Sequence, residues 1–98
     1  MAVRQVITDI VAESAYTFGK LLSAYSLVVV RLLKAIAKER CVKEINSGHF
    51  ITRYGLKATS SVNTALNKLI DKELVYKTED GYMVYDRFMA IWLRQQPY

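Results

Sequence analysis

The stretch Leu74-Val75-Tyr76-Lys77-Thr78-Glu79-Asp80-Gly81-Tyr82-Met83-Val84-Tyr85 decides how the chain is read. Its two ends, 74–78 and 82–85, are rich in β-branched and aromatic residues, which suit a pleated, half-buried surface. Between them Glu79-Asp80-Gly81 supplies a glycine where a tight loop needs positive φ. The spacing predicts a β-hairpin. Immediately upstream, Val62, Leu66, Leu69 and Ile70 fall at i, i+4, i+7 and i+8, the stripe of an amphipathic helix running to about Lys72. Thr59 or Ser60 is expected to cap it. Downstream, Asp86 is expected to cap a closing helix with Phe88, Ile91 and Trp92 on its core face, and Pro97 lies beyond its end.

The first half of the chain is helical by period. From Ala2 to about Leu22, Val3, Val6, Ile7, Ile10, Val11, Phe18, Leu21 and Leu22 keep three- and four-residue spacing. Tyr25-Ser26 interrupts that pattern, and Ser26 is a candidate N-cap for a second helix from Leu27 to Arg40 with Val29, Leu32, Leu33, Ile36 and Ala37 on one side. Asn46-Ser47-Gly48 divides the 42–54 segment into a turn and a short helical element, and Gly55 opens a second turn. The order is helix, helix, short helix, turn, helix, hairpin, helix. That is a mainly α fold with a small β-hairpin, a winged helix-turn-helix preceded by an amphipathic N-terminal helix. The expected division is a linker helix over 1–24 and a winged helix over 25–98. Val75, Tyr82 and Val84 should pack the hairpin against the helices over 27–40 and 59–72, because an isolated hairpin is marginal in water. Leu66 is expected in the core.

Composition narrows the function. The chain has 98 residues, 52% of them apolar and 23% charged, a balance that permits one compact core. One cysteine, Cys41, and one histidine, His49, provide neither an internal disulfide nor a zinc-ligand set, so no cofactor is expected and a reducing cytoplasm is the natural setting. The longest apolar run, over 27–30, is far short of the ~20 residues needed to cross a bilayer. No nucleophile, base and orienting group stand in a recognisable arrangement, so the reading is non-enzymatic. His49 is expected at a turn or on the surface, Cys41 as a small apolar filler and Asp86 as a cap.

Fourteen basic residues against nine acidic ones give a net charge of +5. That excess lies between Arg31 and Lys72 and is reversed beyond Glu73, where the hairpin tip carries Glu79 and Asp80. If double-stranded DNA is bound, Arg53, Lys57, Lys68 and Lys72 are the candidate phosphate contacts, and Ser61, Asn63, Thr64 and Asn67 the candidate base-edge contacts. An acidic hairpin tip opposes that use, since it would meet the phosphate backbone with like charge. Seven tyrosines exceed what so small a core can bury, and the apolar stripe of the first helix is longer than the winged core can cover. Both favour contact with a protein partner or with a second copy through the N-terminal helix.

Several strings in order carry a resemblance. These are Leu32-Leu33-Lys34-Ala35-Ile36-Ala37-Lys38, then Ser60-Ser61-Val62 leading to Leu69-Ile70-Asp71-Lys72-Glu73-Leu74-Val75, then Tyr82-Met83-Val84-Tyr85-Asp86-Arg87-Phe88 with Trp92-Leu93. Together they resemble the C-terminal winged-helix region of prokaryotic P-loop ATPases of the archaeal-type AAA+/STAND group. The resemblance implies a non-catalytic module that contacts its own ATPase core or a partner protein; the alternative is a free-standing or ATPase-linked DNA-binding protein resembling a transcription regulator. The four glycines stand singly and none opens a phosphate-binding loop, so this stretch is expected to be one piece of a larger ATPase.

Overall fold

A computed structural model describes residues 3–96. Five helices and one hairpin follow in the expected order: α1 (Val3–Leu22), α2 (Leu27–Glu39), α3 (Gly48–Arg53), α4 (Thr59–Asp71), β1 (Val75–Thr78), β2 (Gly81–Val84) and α5 (Arg87–Gln95). Helix α2 is the centre of the molecule. Its Leu32, Leu33, Ala35 and Ile36 are fully enclosed, because α4 packs on one side of it and α5 with β2 on others. An apolar residue on nearly every position of one helix turn is what lets a single helix serve three neighbours.

Helix α4 buries Val62, Ala65, Leu66 and Leu69, so Leu66 is in the core as expected. Ile70 is not: it is 40% exposed, since the buried stripe runs through Val62, Ala65, Leu66 and Leu69 and Ile70 lies at its edge. The caps also differ from expectation. Ser26 occupies the N-cap of α2 but its hydroxyl makes no capping bond, and α4 starts after Ala58, which has no side chain to cap with. Thr59 and Ser60 instead form the first turn of α4. Two short helices do have side-chain caps. Ser47 accepts from the Phe50 amide at 3.1 Å, and Asp86 accepts from the Phe88 and Met89 amides at 2.9 and 3.1 Å.

The hairpin is antiparallel, with Val75 opposite Val84 and Thr78 opposite Gly81. Glu79 and Asp80 alone form its loop, and the Thr78 hydroxyl ties that loop by accepting from the Asp80 and Gly81 amides. Gly81 is therefore the first residue of β2 rather than a loop residue. Its φ is 138°, and a Cβ there would meet the Val42 carbonyl oxygen at 2.4 Å. The reason is that Val42 and Tyr82 exchange two backbone hydrogen bonds of 2.9 and 2.8 Å, an antiparallel bridge that ties β2 to the segment after α2. Val75 and Val84 are buried and Tyr82 half-buried, so the wing is anchored from inside.

At the chain's ends α1 and α5 lie together. Phe18 stacks at 5.6 Å on Trp92, and Phe18 and Leu22 belong to the same core as α2. The expected core face of α5 is rotated: Met89, Ala90 and Leu93 are buried, while Phe88 is 37% exposed and Ile91 and Trp92 are half-buried. Leu93 and the small Ala90 fit the close approach to α2, and that turns Phe88 outward. Cys41 is half-buried rather than enclosed, His49 is exposed on α3, and Tyr54 alone of the described tyrosines is buried.

Candidate interaction surfaces

The helix before the hairpin presents a polar outer face. Ser60, Ser61, Asn63, Thr64, Asn67 and Lys68 are all exposed on α4, and Lys72 is exposed at its C-cap. Ser61, Thr64 and Lys68 line one shallow hollow of about 500 Å³ with Tyr25, Ser26 and Val28 from the start of α2. Beside it, Arg31, Lys57 and Ser61 meet in a smaller hollow of about 240 Å³. Arg31, on the outer side of α2, joins the set only because α2 and α4 cross there. Asn63 faces the other way, into a hollow shared with Lys43 and Tyr82 of the wing side.

Arg53 is not part of this face. Its guanidinium lies 3.8 Å from the Glu39 carboxylate and 5.6 Å from the centre of the Tyr54 ring, and the Tyr54 hydroxyl donates to the same carboxylate. The candidates thus separate: Lys57, Ser61, Thr64 and Lys68 are brought together, Asn63, Asn67 and Lys72 flank them, and Arg53 is engaged elsewhere. Asp71 is exposed on the last turn of α4, and Glu79 and Asp80 are exposed at the wing tip. Two polar capacities on α4 are already committed, because the Thr64 hydroxyl donates back to the Ser60 carbonyl at 3.0 Å.

A second surface lies between α1, the end of α2, the wing and α5, and shares no residue with the hollows of α4. It is a groove of about 510 Å³ into which Arg40, Arg87 and Arg94 bring three cationic groups alongside Ile7, Tyr76, Met83, Phe88 and Ile91. On α5, Arg87, Ile91 and Arg94 stand at i, i+4 and i+7, one face of the helix. Arg94 donates to the Ala37 carbonyl at 3.3 Å, and Lys38 donates to the Arg94 carbonyl at 3.0 Å, which fixes α5 to the end of α2. Burial, and then the neighbouring Arg40 charge, push Arg94 below the usual guanidinium value. Arg40 sits just past α2 at φ 68° and ψ −45°, a conformation in which a side chain is strained. On the wing, Tyr76 meets Tyr85 edge-on at 5.8 Å, and Tyr76 and Tyr85 are both exposed.

Among the described residues no group of His, Cys, Asp and Glu could hold a metal ion, and no helix is long and apolar enough to cross a membrane. Neither a curated protein nor a solved structure matches the chain. A family model described as "Probable winged helix domain" matches residues 16–95. That span takes in the last two turns of α1 with α2 to α5 and both strands, the elements that share the core; the chain belongs to this winged-helix family.

Proposed function

We propose that this winged helix is a non-catalytic, protein-facing module, attached in the cytoplasm to a larger prokaryotic P-loop ATPase of the AAA+/STAND kind that the sequence resembles. One observation carries the reading. The wing tip that a DNA-binding winged helix would bring to the phosphates is acidic, whereas the groove beside α1 and α5 combines three arginines with Tyr76, Met83 and Phe88. Arginine with tyrosine, phenylalanine and methionine is the composition of protein interfaces. At the wing tip Glu79 and Asp80 would face phosphates with like charge.

DNA binding is the second reading, favoured by the exposed Ser61, Asn63, Thr64 and Asn67 beside Arg31, Lys57 and Lys68. Contacts from Arg31, Lys57, Lys68 and Lys72 would give a salt slope of about −3.6, hence about a hundredfold loss of affinity between 50 and 200 mM salt. The test is fluorescence anisotropy of a labelled random-sequence duplex. No binding at ~50 mM salt supports the protein-facing module. Binding with that slope, abolished in Lys57→Gln/Lys68→Gln, supports the second reading instead.

A further inference from the structure

Helix α1 and the arginine-lined groove are complementary surfaces of one molecule. The N-terminal half of α1 leaves Val3 and Val6 exposed, at 75% and 42%. Val3, Val6, Ile10 and Glu13 follow at i, i+3, i+7 and i+10, so one outward stripe of α1 is apolar and ends in a carboxylate. Asp9 is exposed alongside it, and so is Glu13.

Directly beside that stripe the groove begins, because Ile7 of α1 is one of its walls. Its other walls supply Arg40, Arg87 and Arg94, and among the described residues no carboxylate lines it. Among the described residues, none of these three arginines makes an ion pair. Arg94 is half-buried and pressed by the neighbouring Arg40 charge, while Arg40 and Arg87 are exposed beside it. A carboxylate brought to this cluster would therefore relieve like-charge repulsion at its partly desolvated member. The apolar parts match as well, since Phe88 and Ile91 on the groove side continue the apolar surface of Ile7 and Val6.

We infer that two copies of this chain pair symmetrically, the N-terminal half of α1 of each lying in the groove of the other, with Asp9 and Glu13 meeting Arg40, Arg87 and Arg94. A two-fold arrangement needs one patch that carries both halves of the contact, and α1 with its adjoining groove is such a patch. Docking puts Val3 and Val6 against Phe88 and Ile91 and supplies the missing counter-charge. The pairing rests on the reading of the chain as a protein-facing module and adds its partner and its site.

Sedimentation velocity over a range of concentrations tests it, with charge reversal to assign the contact. The chain should shift from monomer to dimer with rising concentration, and more readily at low salt. Arg87→Glu/Arg94→Glu and Asp9→Lys/Glu13→Lys should each weaken self-association at least tenfold, since each sets like charges together. Mixing the two variants should restore a heterodimer, because both of its contacts then join opposite charges: native acids on native arginines in one, introduced lysines on introduced glutamates in the other. Circular dichroism of each variant checks that it remains folded, and recovery on mixing excludes unfolding as the cause of the loss. A monomer at every concentration overturns the pairing, as does a dimer indifferent to both reversals. Either result leaves the duplex measurement, and with it the protein-facing reading, standing or falling separately.

Discussion

The two surfaces of this domain differ in what they offer a partner. On α4, Ser60, Ser61, Thr64 and Asn67 make a polar face with Lys68 as its central cation and Asp71 one turn away. In the groove, three arginines converge on a wall that includes Tyr76, Met83 and Phe88. The first face suits weak, wet contacts; the second has the large rigid side chains and unpaired charge that concentrate binding energy. If the groove is the working surface, as proposed, a fold's customary binding helix and its binding surface need not coincide. On the proposed reading, the outer face of α4 is the milder surface, and α1 and α5 with the end of α2 build the stronger one.

The comparison holds only if both surfaces stand on one rigid core, and the largest expected effects probe that. Leu69 of α4 and Leu93 of α5 are both fully buried. Replacing either by alanine should lower the stability to urea by ~2 to 5 kcal/mol, as for other large-to-small core changes. If Leu93→Ala costs under ~1 kcal/mol while Leu69→Ala does not, α5 is loosely attached and the groove is not preformed.

Next in size is the junction that both surfaces share. Gly81→Ala should destabilise by roughly 2 kcal/mol or more, since the new Cβ would be driven against the Val42 backbone at a positive φ. Equilibrium unfolding would read this directly. An unchanged midpoint would mean that the wing is not pinned to the segment after α2.

The smallest effects separate the two helices by their caps. Asp86→Ala removes the acceptor of two amides at the start of α5 and should cost ~1 kcal/mol. At α4 the opposite holds: Ala58→Ser introduces a cap where none exists and should stabilise by ~0.5 to 1 kcal/mol. Thermal unfolding of the pair would sharpen the contrast between a helix start fixed by a side chain and one held by tertiary packing alone.

Much of the fold was legible for local reasons. The hairpin stood out because β-branched and aromatic residues flank a two-residue acidic loop and a glycine, and Asp86 announced α5 by its position before an apolar run. The facing of α5 did not follow from the same signals. Phe88, Ile91 and Trp92 are larger than Met89 and Ala90, but the close crossing with α2 selects the smaller Ala90, a choice made by tertiary packing. The start of α2 at Leu27, with Ser26 at its N-cap, was legible, but the Ser26 hydroxyl makes no capping bond; at α4, Thr59 and Ser60 have capping hydroxyls, yet the helix starts after Ala58 without a side-chain cap.

The groove was hidden by averaging. Summed along the chain, Arg87 and Arg94 are cancelled by Glu73, Glu79, Asp80 and Asp86, so the last quarter reads as slightly acidic. In space these acids lie at the wing tip, at the end of α4 and at the cap of α5, whereas both arginines turn to the groove and meet Arg40 from the end of α2. Charge placed by segment thus misses a cluster assembled from three elements. The spacing Arg87, Ile91, Arg94 was the one local trace of it.

The account's central claim is that α1 with its adjoining groove, and not the outer face of α4, is the working surface of this domain. Amide hydrogen exchange compared at low and high protein concentration tests it most directly, because amides in a self-contact slow as the dimer forms. Slower exchange confined to 3–13, 83–84 and 87–94 is the predicted result. Slowing over 60–68 instead, or exchange that does not change with concentration, would contradict the claim.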